Sequence, residues 1–261
     1  MNALRTFISR YALSFFVAVV YAFLYIPIII LIVFSFNSVA FPYRWVSFTF
    51  DWYRQLFQSV DIWPAVVNSL LVASSAVVLS ITFAVLFVFY SSRTSTGRFM
   101  PLFFVNVIIP EIVLAIGLLS LFVFFAIPLG LTTLIAGHTV IGLGFAIPII
   151  KTRFEELDQS IVEASLDLGA TIHQTLLRVV IPFLTPAIVA ASLLVFIISF
   201  DDFFIAFFMA GPTSQTLSLY IFSSIRTGIT PTINALSAFM ILLSSILVIL
   251  FCSLRTRARI W

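Results

Sequence analysis

Three carboxylates stand inside otherwise apolar stretches: Glu111, Asp201 and Asp202. An unpaired charge in hydrocarbon is costly, so acids placed there face a partner or a wet pathway. A pathway that offers carboxylates suits a cationic solute. A structural alternative stays open, in which the two aspartates cap a helix or sit at the headgroups and Glu111 pairs with a neighbouring subunit. Acid proteolysis is a poorer fit. It needs two acids facing each other from separate helices, and adjacent residues on one helix diverge by ~100°. Glu111 with Asp202 is conceivable in geometry but matches no protease pattern. His138 and His173 have no second ligand at metal-binding spacing, so no metal site is expected. The single cysteine, Cys252, cannot form an internal disulfide and lies in an apolar run, where an inert thiol is expected.

A second set of informative residues lies between Lys151 and Ile181, the longest hydrophilic stretch. Ser160 followed by Glu163 reads as a capping box that starts a short helix. Gly169 stands where a left-handed C-terminal cap would end it. Thr171 followed by Gln174 reads as a second capping box, and the helix it opens is expected to run to about Val180 and stop near Pro182. The segment is therefore helix, tight turn, helix. On the first helix Ile161, Ala164, Ser165 and Leu168 share a face that is small in its middle and apolar at its ends. Such a face suits insertion into a groove on a partner. Periodicity alone allows equally a pair of amphipathic helices lying on a membrane surface.

The elements that must position these residues follow from composition. Hydrophobic residues make up 62% of the 261 and charged residues 9%, against about 25% charged in a soluble chain. So few charges cannot cover a surface for water, and most of this one faces lipid. The N-terminal apolar stretch, Ala12 to Phe36, is too long for the core of a cleaved signal and long enough to span a bilayer of ~30 Å. A second run covers Ala65 to Tyr90. The third, Phe99 to Ile150, would be ~78 Å long as one straight helix. It must fold back, and Pro128-Leu129-Gly130 is the natural place. Spans are expected at about 99–127, 132–150, 185–208 and 233–254, six in all. On this reading Glu111 lies ~18 Å in from the cytoplasmic side and Asp201 ~24 Å in, so the acids share the outer half of the bilayer. Thr185, Ser192, Ser199 and Asp202 form one polar stripe on the fifth span.

Six spans place both termini on one side. That side holds ten of the thirteen basic residues, with Arg44, Arg54 and Arg226 on the other. The positive-inside rule makes the ten-residue side, and the Lys151–Ile181 segment, cytoplasmic. Trp45, Trp52 and Trp63 then fall in the first outside loop, where interfacial anchoring is expected. The 31 phenylalanines read as lipid-facing filler. No phosphate-binding loop of the Gly-x-x-x-x-Gly-Lys-Ser/Thr type occurs, so any ATP is hydrolysed by another chain.

Glu163-Ala164-Ser165, three residues, Gly169, nine residues, then Val179-x-Ile181-Pro182 resembles the "EAA" loop of binding-protein-dependent type I ABC importers. The family pattern has alanine, isoleucine and leucine where Ser165, Val179 and Ile181 stand here. Pro110-Glu111-Ile112-Val113, Ser199-Phe200-Asp201-Asp202-Phe203 and Ala210-Gly211-Pro212-Thr213 are similar to the C-type permease subunits of spermidine/putrescine importers. So are Leu217–Ile221 and Pro231–Leu236. The resemblance implies an all-α integral membrane protein with a cytoplasmic helix-turn-helix coupling loop at about 154–182, in a permease region over 65–254. Residues 1–64 would supply the first helix and outside loop, and 255–261 a basic tail. It implies Glu163, Ala164, Ser165 and Gly169 as the residues that couple to an ATPase. Shared depth and the cost of leaving acids in lipid make Glu111, Asp201 and Asp202 the candidates along the substrate pathway. The resemblance also implies an ATPase homodimer holding ATP and magnesium, a second, non-identical permease, a periplasmic binding protein and a polyamine substrate in a bacterial inner membrane. No cofactor is expected on this chain, and no nucleic-acid partner. A rival reading, a secondary transporter driven by an ion gradient, would use intramembrane acids but would not need the loop.

Overall fold

The computed structural model describes residues 2–39, 44–228 and 230–258. The side chains of Arg5, Arg10, Cys252, Arg255 and Arg257, and the whole of Arg259, lie outside the described residues. The chain divides into two compact units, residues 1–60 with 221–261, and residues 61–220.

The first unit contains α1 (Asn2–Phe34), α2 (Asp51–Gln58), most of α11 (Leu217–Thr227) and α12 (Pro231–Ala258). α1 and α2 both pack on α12. The chain leaving α1 turns through an aromatic corner. Phe36 stacks on Phe48 at 5.2 Å and on Tyr53 at 5.0 Å. The Tyr53 hydroxyl lies 2.7 Å from Ser35 Oγ. Of the tryptophans expected at the headgroups, Trp45 is exposed, whereas the Trp52 indole N–H donates to the Asn37 carbonyl at 2.7 Å and so stitches the loop itself.

The second unit is built on α3 (Ile62–Ser91), α6 (Leu131–Glu155) and α9 (Ile181–Asp201), which pack mutually. Small residues let them approach: Ala73, Ala76, Ser80 and Ala84 of α3 are all buried, and Ser80 donates to the Thr139 carbonyl of α6 at 3.1 Å. The remaining elements are α4 (Met100–Ile108), α5 (Glu111–Phe124), α7 (Gln159–Asp167), α8 (Ile172–Thr175) and α10 (Phe204–Met209).

Among the described residues, four helical stretches are long and apolar enough to cross a membrane: Ala12–Phe34, Ile62–Ser91, Leu131–Glu155 and Ile172–Asp201. A bent pair, Gly97–Ile108 with Glu111–Phe124, makes a fifth if taken as one span. Pro231–Ile246 is a shorter apolar helix.

Two expected spans are revised. The third is not a single helix over 99–127. It bends by 115° at Ile109-Pro110, because Pro110 has no N–H and drives Ile109 into an extended conformation with ψ 133°. The depth reckoned for Glu111 along a straight helix therefore does not apply. The fifth span is displaced toward its N-terminus. Pro182 does not stop the loop helix. The turn before it widens into a π-turn over Leu176–Val180, with the Ile181 N–H reaching the Leu176 carbonyl, and the helix runs on through the proline. At the other end the helix stops at Asp201 rather than near 208, since Asp202 is extended, with φ −60° and ψ 134°. The reversal at 128–130 stands as read from the sequence, with α6 starting at Leu131.

Candidate functional site: an acidic cavity and an exposed loop

The two breaks bring the three acids together. Pro110 ends one helix and places Glu111 at the first turn of α5, while Asp202 sits in the link between α9 and α10. Glu111, Asp201, Asp202, Ile197, Ile198, Phe203 and Phe204 line one cavity of about 370 Å³. Within it the acids differ. Asp201 is exposed and Glu111 half-buried. Asp202 has a fully buried side chain. Its Oδ1 accepts the Ile205 N–H at 3.3 Å and its Oδ2 the Ala206 N–H at 2.9 Å. Asp202 thus begins α10, which explains locally why the fifth span breaks there. Glu111 lines the same cavity as Asp202. Carboxyl groups gathered on one cavity favour a positive charge among them. The arrangement can hold positive charge, with Phe203 and Phe204 also lining the cavity.

The polar stripe drawn along the fifth span does not form a single lane. The Thr185 hydroxyl donates to its own helix, at the Ile181 carbonyl. Ser199 is buried, 3.0 Å from Nδ1 of His138 on α6. The other ring nitrogen of His138 lies 3.6 Å from Asp202 Oδ2. His138 is therefore a buried neighbour of the acid cluster that the sequence had not placed there. It is 61 residues from Ser199, and no local spacing carries that contact.

The loop between α6 and α9 is a helix, a tight turn and a helix. Its first cap is corrected. Asp158, not Ser160, caps α7, accepting the Ser160 N–H at 2.9 Å, and the helix starts at Gln159. The carboxylate adds its charge to the favourable field at a helix N-terminus, which the Ser160 hydroxyl cannot do. The bond from Ser160 holds the Asp158 carboxyl below the usual carboxylate range. The end of α7 is as expected: Gly169 has φ +86°, the Gly169 N–H reaches the Leu166 carbonyl and the Ala170 N–H the Ser165 carbonyl, a Schellman closure. Thr171 and Gln174 form the expected reciprocal capping box.

The loop has one face tied down and another free. Val162 is buried in the cluster that includes Phe89, Ile150, Phe154, Leu176 and Leu184, a contact the sequence reading missed because it followed the opposite stripe. Ile161 is 50% and Leu168 89% exposed. Glu163, Ala164 and Gly169 are exposed too, and Ser165 is half-buried with its hydroxyl 3.0 Å from that of Thr175. At the base of the loop Lys151 pairs with Glu155 at 3.3 Å, Arg153 pairs with Glu156, and the Arg153 guanidinium lies 4.1 Å from the Phe183 ring centre.

Comparison with known proteins adds the following. Residues 76–257 match the family described as binding-protein-dependent transport system inner membrane component. The chain is similar to the spermidine/putrescine transport system permease protein PotC of Escherichia coli K12, with 36% identity over 249 residues and 93% of each chain covered. It is 32% identical to the putrescine transport system permease protein PotI of the same organism, over 85% of this chain and 82% of that one. In fold it resembles a chain of a bacterial ABC transporter involved in the import of the acidic polysaccharide alginate, with TM-score 0.72, 17% identity, and 95% and 96% coverage.

Proposed function

Because this chain belongs to the family of binding-protein-dependent transport system inner membrane components, we propose that it is the permease subunit of an ATP-driven importer that moves polyamines, spermidine or putrescine, into the cytoplasm. It is a transport subunit and not an enzyme. The convergence of Glu111, Asp201 and Asp202 on one cavity carries the reading of a cationic substrate. The names of two relatives narrow that cation to a polyamine.

In this reading the chain crosses a bacterial inner membrane six times with both termini in the cytoplasm. The bent pair α4–α5 makes one crossing and α12 the last. The four-part machine comprises an ATPase homodimer that holds ATP and magnesium, this chain, a second non-identical permease and a periplasmic binding protein. Glu163, Ala164, Ser165 and Gly169 couple this chain to the ATPase. The exposed face of α7 enters a groove on that partner, while buried Val162 passes the partner's movement to α3, α6 and α9. The acids line the pathway and take up the ammonium groups. The acidic polysaccharide of the structural neighbour has the opposite charge, so likeness of fold does not carry the substrate.

The test is uptake of labelled spermidine by proteoliposomes containing the whole complex. ATP-dependent accumulation that disappears when the ATPase is left out supports the proposal. Accumulation driven by an ion gradient without the ATPase would replace it with secondary transport.

A further inference from the structure

We propose that Asn106 is a second point of contact for the polyamine, its Oδ1 accepting a hydrogen bond from an ammonium group while the acids hold another. The inference rests on the polyamine reading above. Asn106 lies in the last turns of α4 and Glu111 opens α5, so the two stand on either side of the 115° bend. Both line a cavity of about 300 Å³, together with Ile141, Phe145 and Ile198. Glu111 and Ile198 also line the cavity that holds Asp201 and Asp202. The two cavities therefore share a wall.

The orientation of the amide is fixed by its partner. The Asn106 Nδ2 group donates to the Val140 carbonyl of α6. A carbonyl can only accept, so the NH2 end must face it and Oδ1 must face away. Space for this comes from Gly144, where a Cβ would lie 2.9 Å from Nδ2. The sequence thus builds a seat for the amide and leaves Oδ1 buried without a hydrogen-bond partner. Buried acceptors are nearly always satisfied, and one that is not calls for an explanation such as a missing donor. Packing α4 on α6 would need only an apolar side chain. A ligand that donates removes the cost. An anion is disfavoured by Glu111 on the same wall, whereas an ammonium suits both groups. A chain with an amine at each end meets a carboxylate at one and an amide oxygen at the other, its methylenes lying along Ile141, Phe145 and Ile198.

The experiment measures polyamine moved per ATP hydrolysed by the complete reconstituted complex, with the binding protein saturated by spermidine. Asn106→Leu keeps the bulk and removes the acceptor. The expected result is a fall of about tenfold in spermidine moved per ATP, the scale of one hydrogen bond to a charged group. Gly144→Ala, which displaces the amide without touching its oxygen, should lower the same ratio and carries the test if the leucine variant fails to assemble. An unchanged ratio, or uptake and ATPase falling together, overturns the role of Asn106. A wild-type complex that moves no polyamine overturns the substrate reading instead.

Discussion

The Ser165 and Thr175 hydroxyls lie 3.0 Å apart, joining α7 to α8 across the turn that Gly169 makes. Thr175 is buried and Ser165 half-buried, so the bond ties the free helix of the loop to the start of the fifth span. Alanine at 165 would close no such link.

Gly169 has φ +86° and nothing within 4 Å of where a Cβ would be. Substitution there is opposed by backbone strain alone, of about 1–2 kcal/mol for a residue with a Cβ. Gly169→Val should insert normally and transport poorly, with Gly169→Asn nearer to wild type because asparagine tolerates this conformation. Uptake and membrane yield measured side by side check this, and full uptake by the valine variant contradicts it.

Neighbours on α7 should separate stability from docking. Val162→Ala removes buried methyl groups and should cost on the order of 2 kcal/mol within this chain, seen as a lower midpoint of thermal unfolding. Ile161→Ala alters a half-exposed side chain and should leave that midpoint nearly unchanged while weakening co-purification of the ATPase. If both variants lower the midpoint equally, the exposed face is part of the fold and not a docking surface.

Asp158 predicts a pH dependence of local order. Its carboxyl is held below the usual range by the Ser160 N–H, so the charged cap is complete at neutral pH and is lost as pH falls through the depressed value. Protection of the Ser160 and Ile161 amides, relative to the intrinsic exchange rate at each pH, should therefore be high at neutral pH, lower in strong acid, and low at neutral pH in Asp158→Ala. Exchange in that variant equal to wild type would return the cap to Ser160.

Much of this architecture was legible because it is local. The reversal at Pro128–Gly130, the left-handed Gly169 and the Thr171–Gln174 box each depend on residues a few positions apart, and each is where the sequence put it. The misplaced features depend on a choice between local rules or on tertiary contacts. Pro110 and Pro182 present the same missing N–H. One bends the chain by 115° and the other is absorbed by a π-turn. The missing N–H alone therefore does not foretell which occurs. Asp202 could be a pathway acid or a cap, and the structure makes it a cap for α10 while leaving it on the cavity wall. His138 and Asn106 were invisible as site residues because their partners are 61 and 34 positions away.

The acids should lose function in different ways. Glu111→Gln and Asp201→Asn remove charge from the cavity without removing a backbone partner and should impair uptake with the complex intact. Asp202→Ala strips the acceptor from two N–H groups at the start of α10 and should lower the yield of assembled complex as well. Uptake per assembled complex separates the two effects. Wild-type uptake by all three variants would make the acids structural.

Competition for uptake tests the central claim most directly. Vesicles holding the complete complex, ATP and the binding protein are given labelled putrescine, with unlabelled spermidine, putrescine or an uncharged solute of similar length as competitor. The account predicts that labelled putrescine accumulates only with ATP and that both polyamines, but not the uncharged solute, displace it. Vesicles that accumulate no putrescine, yet take up a different solute with the same requirement for ATP and the binding protein, would contradict it.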